Sequence, residues 1–243
     1  MSADRILRVW TEVGRQSRGD PVSVAHVCAA AVDGVGVDGA GVTVMVTPTV
    51  RDTVHATDRV AGEIEEWQLV YGQGPCVDAF TGGGPVLIVD LGSADHAVRW
   101  PAFTASALAS GARAVFALPL QVGSVRLGVM DLYRASAGPL SAHELADALA
   151  FADAAGTMLL DGVEGVSRQV TDLSWQGDDP TAHHAEVHQA TGMILAQIGV
   201  DAEAASARLR AYAFAHDRRL VDVALDVVGR RLRFEPDPLI GPR

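Results

Sequence analysis

Residues 208–220, RLRAYAFAHDRRL, bring Arg208, Arg210, Arg218 and Arg219 together with Tyr212, Phe214 and His216. A guanidinium takes phosphate in bidentate, charge-assisted hydrogen bonds, and an unstacked base lies flat on an aromatic ring or on the guanidinium plane. Such a pairing suits RNA loops. Helical spacing divides the stretch: Leu209, Tyr212 and Ala213 share an apolar stripe, while Arg210 and Phe214 fall four apart on a neighbouring face. Arg218 and Arg219 occupy the turn that follows. On these grounds alone a solvated helix face accounts for the arginines as well as an RNA surface does. A membrane patch accounts for them less well, because the apolar stripes are needed for packing.

Three other groups invite chemistry. Cys76, in GQGPCVDAF, is a nucleophile candidate with His55 or His96 as its base, but no spacing brings either histidine to it. A small buried or ligand-lining cysteine is the expectation. His184 and His188, in HHAEVH, stand one helical turn apart, a spacing that can ligate zinc, yet the glutamate-histidine arrangement of metalloproteases is missing. They are expected to be exposed helix residues. TGGGP, at 81–85, lacks the spacing of a nucleotide-binding loop and precedes a strand rather than a helix. No catalytic residue, metal site or cofactor is therefore expected.

Composition narrows the classes further. All 19 basic residues among the 243 are arginine, which excludes a P-loop lysine, a Schiff-base lysine and a kinase lysine, and disfavours a phosphate-accepting receiver domain. Cys28 and Cys76 are too few for a disulfide framework or a four-thiolate zinc site. No leader pattern opens the chain and no run of 18 uncharged apolar residues occurs, so a cytoplasmic protein is expected, with no membrane partner. Eight arginines and eight acids lie in 181–243, so the whole net charge of -11 belongs to the preceding residues. That asymmetry points to two domains with different partners.

The elements that must position these residues change character along the chain. GAGVTVMVTP (39–48) and GPVLIVDL (84–91) read as buried strands, and RVAGEIEEWQLVYG (59–72) and RWPAFTASALASG (99–111) as helices closed by glycine. ARAVFALPLQVGSVRLGVMDLYRA (112–135) reads as a hairpin turning at Gly123-Ser124. Ser141 and Glu144 form a capping box that opens a long helix. Strands, a central hairpin and flanking helices suggest an antiparallel sheet covered by helices.

Along that long helix Leu145, Leu149, Ala152, Gly156, Leu159, Val163, Val166, Val170 and Leu173 alternate by four and three residues, the seam of a two-stranded coiled coil. A single helix lying on the sheet is the other reading of the same stripe. A homodimer is the expectation. WQGDDPT (175–181) breaks the pattern, with Asp179 as N-cap and Pro180 at the first helical position. Three short amphipathic segments follow, carrying Val187, Ala190, Ile194, Leu195 and Ile198, then Ala205, Leu209, Tyr212 and Ala213, then Leu220, Val223, Ala224, Val227 and Val228. Their lengths and short connections make a three-helix bundle.

Residues 188–234, HQATGMILAQIGVDAEAASARLRAYAFAHDRRLVDVALDVVGRRLRF, resemble the ANTAR domain of bacterial transcription antiterminators, in the Ala-x-Gly of the first helix, Leu-Arg-x-Tyr-Ala of the second, and Arg-x-Leu with Val-Ala-x-x-Val-Val of the third. GQGPCVDAF and the 112–135 hairpin are similar to the GAF sensor domain that precedes ANTAR in many actinobacterial regulators. The resemblance implies an α+β chain: a GAF domain at 1–160, a coiled-coil continuation and linker at 161–180, and an ANTAR bundle at 181–243. It implies a dimer that binds paired RNA hairpins overlapping an intrinsic terminator, under control of an unknown small-molecule or redox signal. The RNA-facing positions carried over are Ala190, Thr191, Gly192, Arg210, Phe214, Arg218 and Arg219. Many ANTAR domains have lysine or arginine at the position of Thr191, so this chain leans more on its three arginines. The asparagine-lysine motif of cyclic-nucleotide GAF domains is impossible in a lysine-free chain.

Overall fold

Period-two alternation in the central hairpin organises the N-terminal part of the molecule. Along β4 (Ala114–Val122) and β5 (Val125–Arg134), Phe116, Leu118, Leu120, Met130 and Leu132 enter one buried cluster, while Val115, Ala117, Val129 and Tyr133 enter clusters on the opposite face. A sheet that is apolar on both faces must be covered on both. The chain does this with helices in front and behind.

The computed structural model describes residues 2–48, 51–123, 125–166, 183–216 and 218–235. Contacts divide the chain into two units, 1–175 and 176–243. In the first, β1 (Gly39–Met45), β2 (Arg51–Ala56), β3 (Val86–Ile88), β4 and β5 form one antiparallel sheet in the order β2-β1-β5-β4-β3. Helices α1 (Ala3–Ser17), α2 (Val24–Val35) and α7 (Ala142–Val166) cover one face through Val13, Val27, Cys28, Ala31 and Phe151. On the other face lie α3 (Arg59–Tyr71), α4 (Pro75–Gly82), α5 (Ala94–Arg99) and α6 (Pro101–Ser110), where Ile64, Leu91, Trp100 and Phe103 fill the core. This is the α+β architecture expected.

Local signals set the boundaries that the sequence foretells. Asp58 caps α3 by accepting from the Ala61 N–H at 2.9 Å, and Gly72 ends the helix in the left-handed region at φ 63°. The Ser141–Glu144 capping box is formed: Glu144 Oε2 accepts from the Ser141 N–H at 2.6 Å, and Ser141 Oγ from the Glu144 N–H at 3.2 Å. Helices α1, α2, α4 and α5 and strand β2 carry no element in the sequence reading. The α4, α5 and β2 segments are short and α2 mixes alanine, valine and glycine, so packing makes them regular, whereas α1 does carry a helical stripe, Val9, Trp10 and Val13, set among frequent charges.

The described part of the expected coiled-coil seam is divided between two surroundings, with Leu149 37% exposed and its neighbours turned inward. Leu145 and Leu159 pack against the sheet-side core of their own unit and Ala152 is buried in it. The core of the same unit therefore takes Leu145, Ala152 and Leu159 from that stripe and leaves Leu149 outward. The seam positions Val170 and Leu173, the side chains of Val163 and Val166, the turn residue Ser124 and the Asp179-Pro180 cap lie outside the described residues.

In the second unit α8 (His183–Ile198), α9 (Ala202–Ala215) and α10 (Leu220–Val228) pack Ala190, Ile194, Ala205, Leu209, Ala213, Leu220, Val223, Ala224 and Val227 together. Gly199 at φ 66° stops α8, and Asp201 restarts the chain by accepting from the Ala204 N–H at 2.8 Å. These are the expected core stripes. Leu195, placed on the first stripe by its spacing, is 38% exposed instead.

Candidate functional site

Six polar side chains meet on the α3/α4 face of the sheet: Thr43, Arg51, Glu65, Gln68, Cys76 and Asp131, all buried. Alternation puts Asp131, between Val129 and Tyr133, on this face of β5. Glu65 and Gln68, three apart, project from one side of α3. Gly41 is what lets Glu65 reach the strand, since a Cβ there would stand 2.6 Å from Glu65 Oε1. Gly74, at φ 138°, turns the chain into α4 so that the Cys76 N–H meets Gln68 Oε1 at 2.7 Å.

Gln68 serves the cluster with both ends of its amide. Its Nε2 donates to Asp131 Oδ2 at 2.6 Å, while Thr43 Oγ1 donates to Glu65 Oε2 at 2.9 Å. The other oxygens, Glu65 Oε1 and Asp131 Oδ1, and all three guanidinium nitrogens of Arg51 have no hydrogen-bond partner among the described residues. Burial pushes the Asp131 carboxyl up to about 6. Burial and the neighbouring Asp131 together hold Glu65 well above the usual carboxylate range. Arg51 is pulled down by burial and drawn back by the charges of Cys76, Glu65 and Asp131. One carboxylate oxygen from each acid and Cys76 Sγ all lie within 4.8 Å of one another.

Cys76 has the surroundings of a held thiol rather than of a nucleophile. Burial, then the charges of Asp131 and Glu65, raise its pKa well above the ordinary value, which keeps it protonated at neutral pH. Its Sγ lies 3.7 Å from Met45 Sδ. The two candidate bases are elsewhere: His55 lines a cleft with Asp33, Asp38 and Asp58, and His96 stacks on Trp100 with ring centres 5.7 Å apart. Cys28 is likewise buried, its thiol pushed up to about 12 by desolvation.

The residues expected to face RNA separate by environment. Phe214 is 62% exposed, and Gly192, Arg218 and Arg219 are exposed. Arg210 is buried in the bundle, its Nη1 3.4 Å from Ser206 Oγ. Thr191 is half-buried and donates its hydroxyl proton to the Val187 carbonyl at 2.7 Å, so that proton is in use within the helix. Ala190, given both to the core stripe by its spacing and to the RNA face by the resemblance, is wholly buried beside Ile194, which agrees with the stripe and not with the carried-over position. His184 and His188 have side chains outside the described residues.

One participant had no signal in the stripe analysis. Arg218 and Arg231 grip opposite oxygens of Asp226 at 2.7 Å each, a clamp that carries one net positive charge and keeps the Asp226 carboxyl below its usual range. Tyr212 is held in place by stacking on His216 at 3.9 Å and by the edge of Phe234 at 5.6 Å.

With this geometry in hand, comparisons with known proteins fall into place. The GAF domain family model matches residues 12–159, and the ANTAR domain model matches residues 181–228. No curated protein matches the chain. Among solved structures, the GAF domain of a phosphoenolpyruvate-protein phosphotransferase from Coxiella burnetii is 10% identical with a TM-score of 0.49, covering 69% of this chain and 99% of that one. The free methionine-R-sulfoxide reductase of Neisseria meningitidis, solved with its substrate, is 15% identical with a TM-score of 0.46, covering 68% and 96%. The GAF-B domain of DevS from Mycobacterium smegmatis is 20% identical with a TM-score of 0.40, covering 60% and 94%.

Proposed function

Because the chain belongs to the GAF domain family and carries an ANTAR domain behind its GAF domain, we propose that it is a signal-responsive transcription antitermination regulator whose C-terminal unit binds hairpin RNA near intrinsic terminators. The observation that carries this reading is Phe214. A phenylalanine 62% exposed, on a helix whose Leu209 and Ala213 are buried, lies outside the buried core of its bundle and turns ring surface to solvent. It offers a stacking platform for an unpaired base. Arg218 and Arg219 supply the cationic groups for phosphate, and Arg231, held with Arg218 on Asp226, joins them. Arg210 and Thr191, turned into the bundle, shape this surface from beneath, and Gly192 leaves room for backbone to approach.

The N-terminal unit is the sensor. Its buried cluster is the natural seat of a signal, and the protonated, desolvated Cys76 favours a bound ligand over thiol oxidation as that signal. A ligand regulates only through unequal affinity for two arrangements of the chain. Dimerisation through the seam beyond Leu159, at Val163, Val166, Val170 and Leu173, would bring two bundles to paired hairpins. No catalytic step is assigned to either unit. Among the described residues no helix is long and apolar enough to cross a membrane, which agrees with a cytoplasmic site of action.

Fluorescence anisotropy with the full chain tests the reading: a terminator-proximal tandem RNA hairpin should bind more tightly than duplex DNA of the same sequence. Tighter binding of the duplex would instead favour a DNA-binding regulator with a GAF sensor.

A further inference from the structure

The buried cluster contains a set of donors that the sensing role alone does not explain. Glu65 and Asp131 are each 4% exposed and each has one oxygen fixed by a neutral donor, Thr43 or Gln68, and a second that, with no ion bound, only a proton shared within the Glu65–Asp131–Cys76 cluster can satisfy. An ordinary buried carboxylate satisfies both oxygens, since an oxygen buried without a partner is costly. Outer-shell hydrogen bonds to one oxygen, with the other left open, are how ligating carboxylates are oriented. Cys76 Sγ completes a triangle with them, all within 4.8 Å. Met45 Sδ stands 3.7 Å from that sulfur.

We propose that Glu65, Cys76 and Asp131, with Met45 as the fourth donor, form a binding site for a divalent late first-row transition ion of the zinc type. Tetrahedral bonds of about 2.3 Å to two sulfurs place the sulfurs roughly 3.8 Å apart, close to the separation found. With zinc–oxygen bonds of about 2.1 Å, oxygen and sulfur stand roughly 3.6 Å apart. The triangle therefore has to tighten by only about 1 Å. Thiolate and thioether sulfur select zinc-like ions over magnesium or calcium.

Charge agrees with a divalent ion. Two carboxylates and a thiolate bring three negative charges, the ion returns two, and Arg51, 7% exposed and without a hydrogen-bond partner among the described residues, supplies the last. The loaded site is neutral. On binding, the thiol proton of Cys76 and the proton held by the Glu65–Asp131 pair leave to water, as ligation by thiolate and carboxylate requires. Gly41 provides the space, since any Cβ there would strike Glu65 Oε1. None of this depends on what the second unit binds.

Cobalt(II) is the probe, because thiolate ligation gives it an intense near-ultraviolet charge-transfer band that carboxylate or imidazole ligation does not. Titrating the full chain should give that band with one equivalent of Co2+, bleached by one equivalent of Zn2+. Cys76→Ser should abolish it and Cys28→Ser should leave it. Gln68→Leu and Thr43→Val, which touch no ligand atom of the ion, should weaken Co2+ binding by about 10–100-fold, with far-ultraviolet circular dichroism reporting that the variants remain folded. Absence of the band in the unaltered chain overturns the proposal. So does a band that survives Cys76→Ser, or unchanged affinity in both folded outer-shell variants.

Discussion

Gln68 Nε2 donates to Asp131 Oδ2 across 2.6 Å, which fastens helix α3 to the central strand β5 at the heart of the first unit. The same amide accepts from the Cys76 N–H at 2.7 Å. Two consecutive helices, α3 and α4, and a strand distant in sequence are tied by one wholly buried side chain. Gln68→Leu leaves two buried polar groups unpaired, at about 1–3 kcal/mol each. Urea unfolding followed by tryptophan fluorescence should show a loss of roughly 2–6 kcal/mol, whereas a loss within measurement error would mean that the amide is incidental.

Glu144 gives the first unit an acid limit. The Ser141 backbone N–H, the Ser141 hydroxyl and Arg134 hold its carboxyl below the ordinary 4.5. A carboxylate favoured in the folded state stabilises above its unfolded pKa, and that contribution is lost as pH falls through the folded value. Between neutral pH and acid, Glu144→Gln should flatten this part of the stability curve. At pH 7, Ser141→Ala should cost about 1 kcal/mol in chemical denaturation.

Leu159 packs on the core of its own unit. Leu159→Asp should therefore lower the melting temperature of the first unit rather than simply yield monomers. Leu173→Asp is the cleaner test of the proposed seam, with monomers expected by light scattering and secondary structure kept. A dimer that persists with Leu173→Asp would place the interface elsewhere.

Local signals carried most of the fold. The β4–β5 hairpin, α3, α6 and the Ser141–Glu144 box are written in contiguous residues, by alternation, terminal glycine or a three-residue box, and so are the core stripes of the bundle. The buried cluster is not. Glu65, Cys76 and Asp131 come from α3, α4 and β5, and nothing in the chain announces that a strand's inward aspartate will face a helix's inward glutamate. The Asp226 clamp escaped for a related reason: its partners lie eight residues before and five after it, outside the three- and four-residue spacing of one helix face. Ala190 shows that spacing outweighs a carried-over motif position: its place on the stripe of Ile194 buries it.

Phe214→Ala should remove a stacking platform without touching the bundle core. RNA affinity should fall by about 1–3 kcal/mol, with the helical circular dichroism of the bundle retained. Arg219→Ala should weaken RNA binding and reduce the slope of log affinity against log salt by about one. If neither change alters affinity, the exposed face of α9 and the turn after it are not the RNA surface.

The central claim is that the bundle reads hairpin RNA through Phe214, Arg218 and Arg219. Its most direct measurement is sequencing of RNA crosslinked to the full chain in cells, compared with a chain carrying Phe214→Ala, Arg218→Ala and Arg219→Ala together. Enrichment of paired hairpins overlapping intrinsic terminators, lost in the triple variant, is the predicted result. Crosslinked RNA with no hairpin enrichment, or enrichment that the triple variant retains, would contradict it.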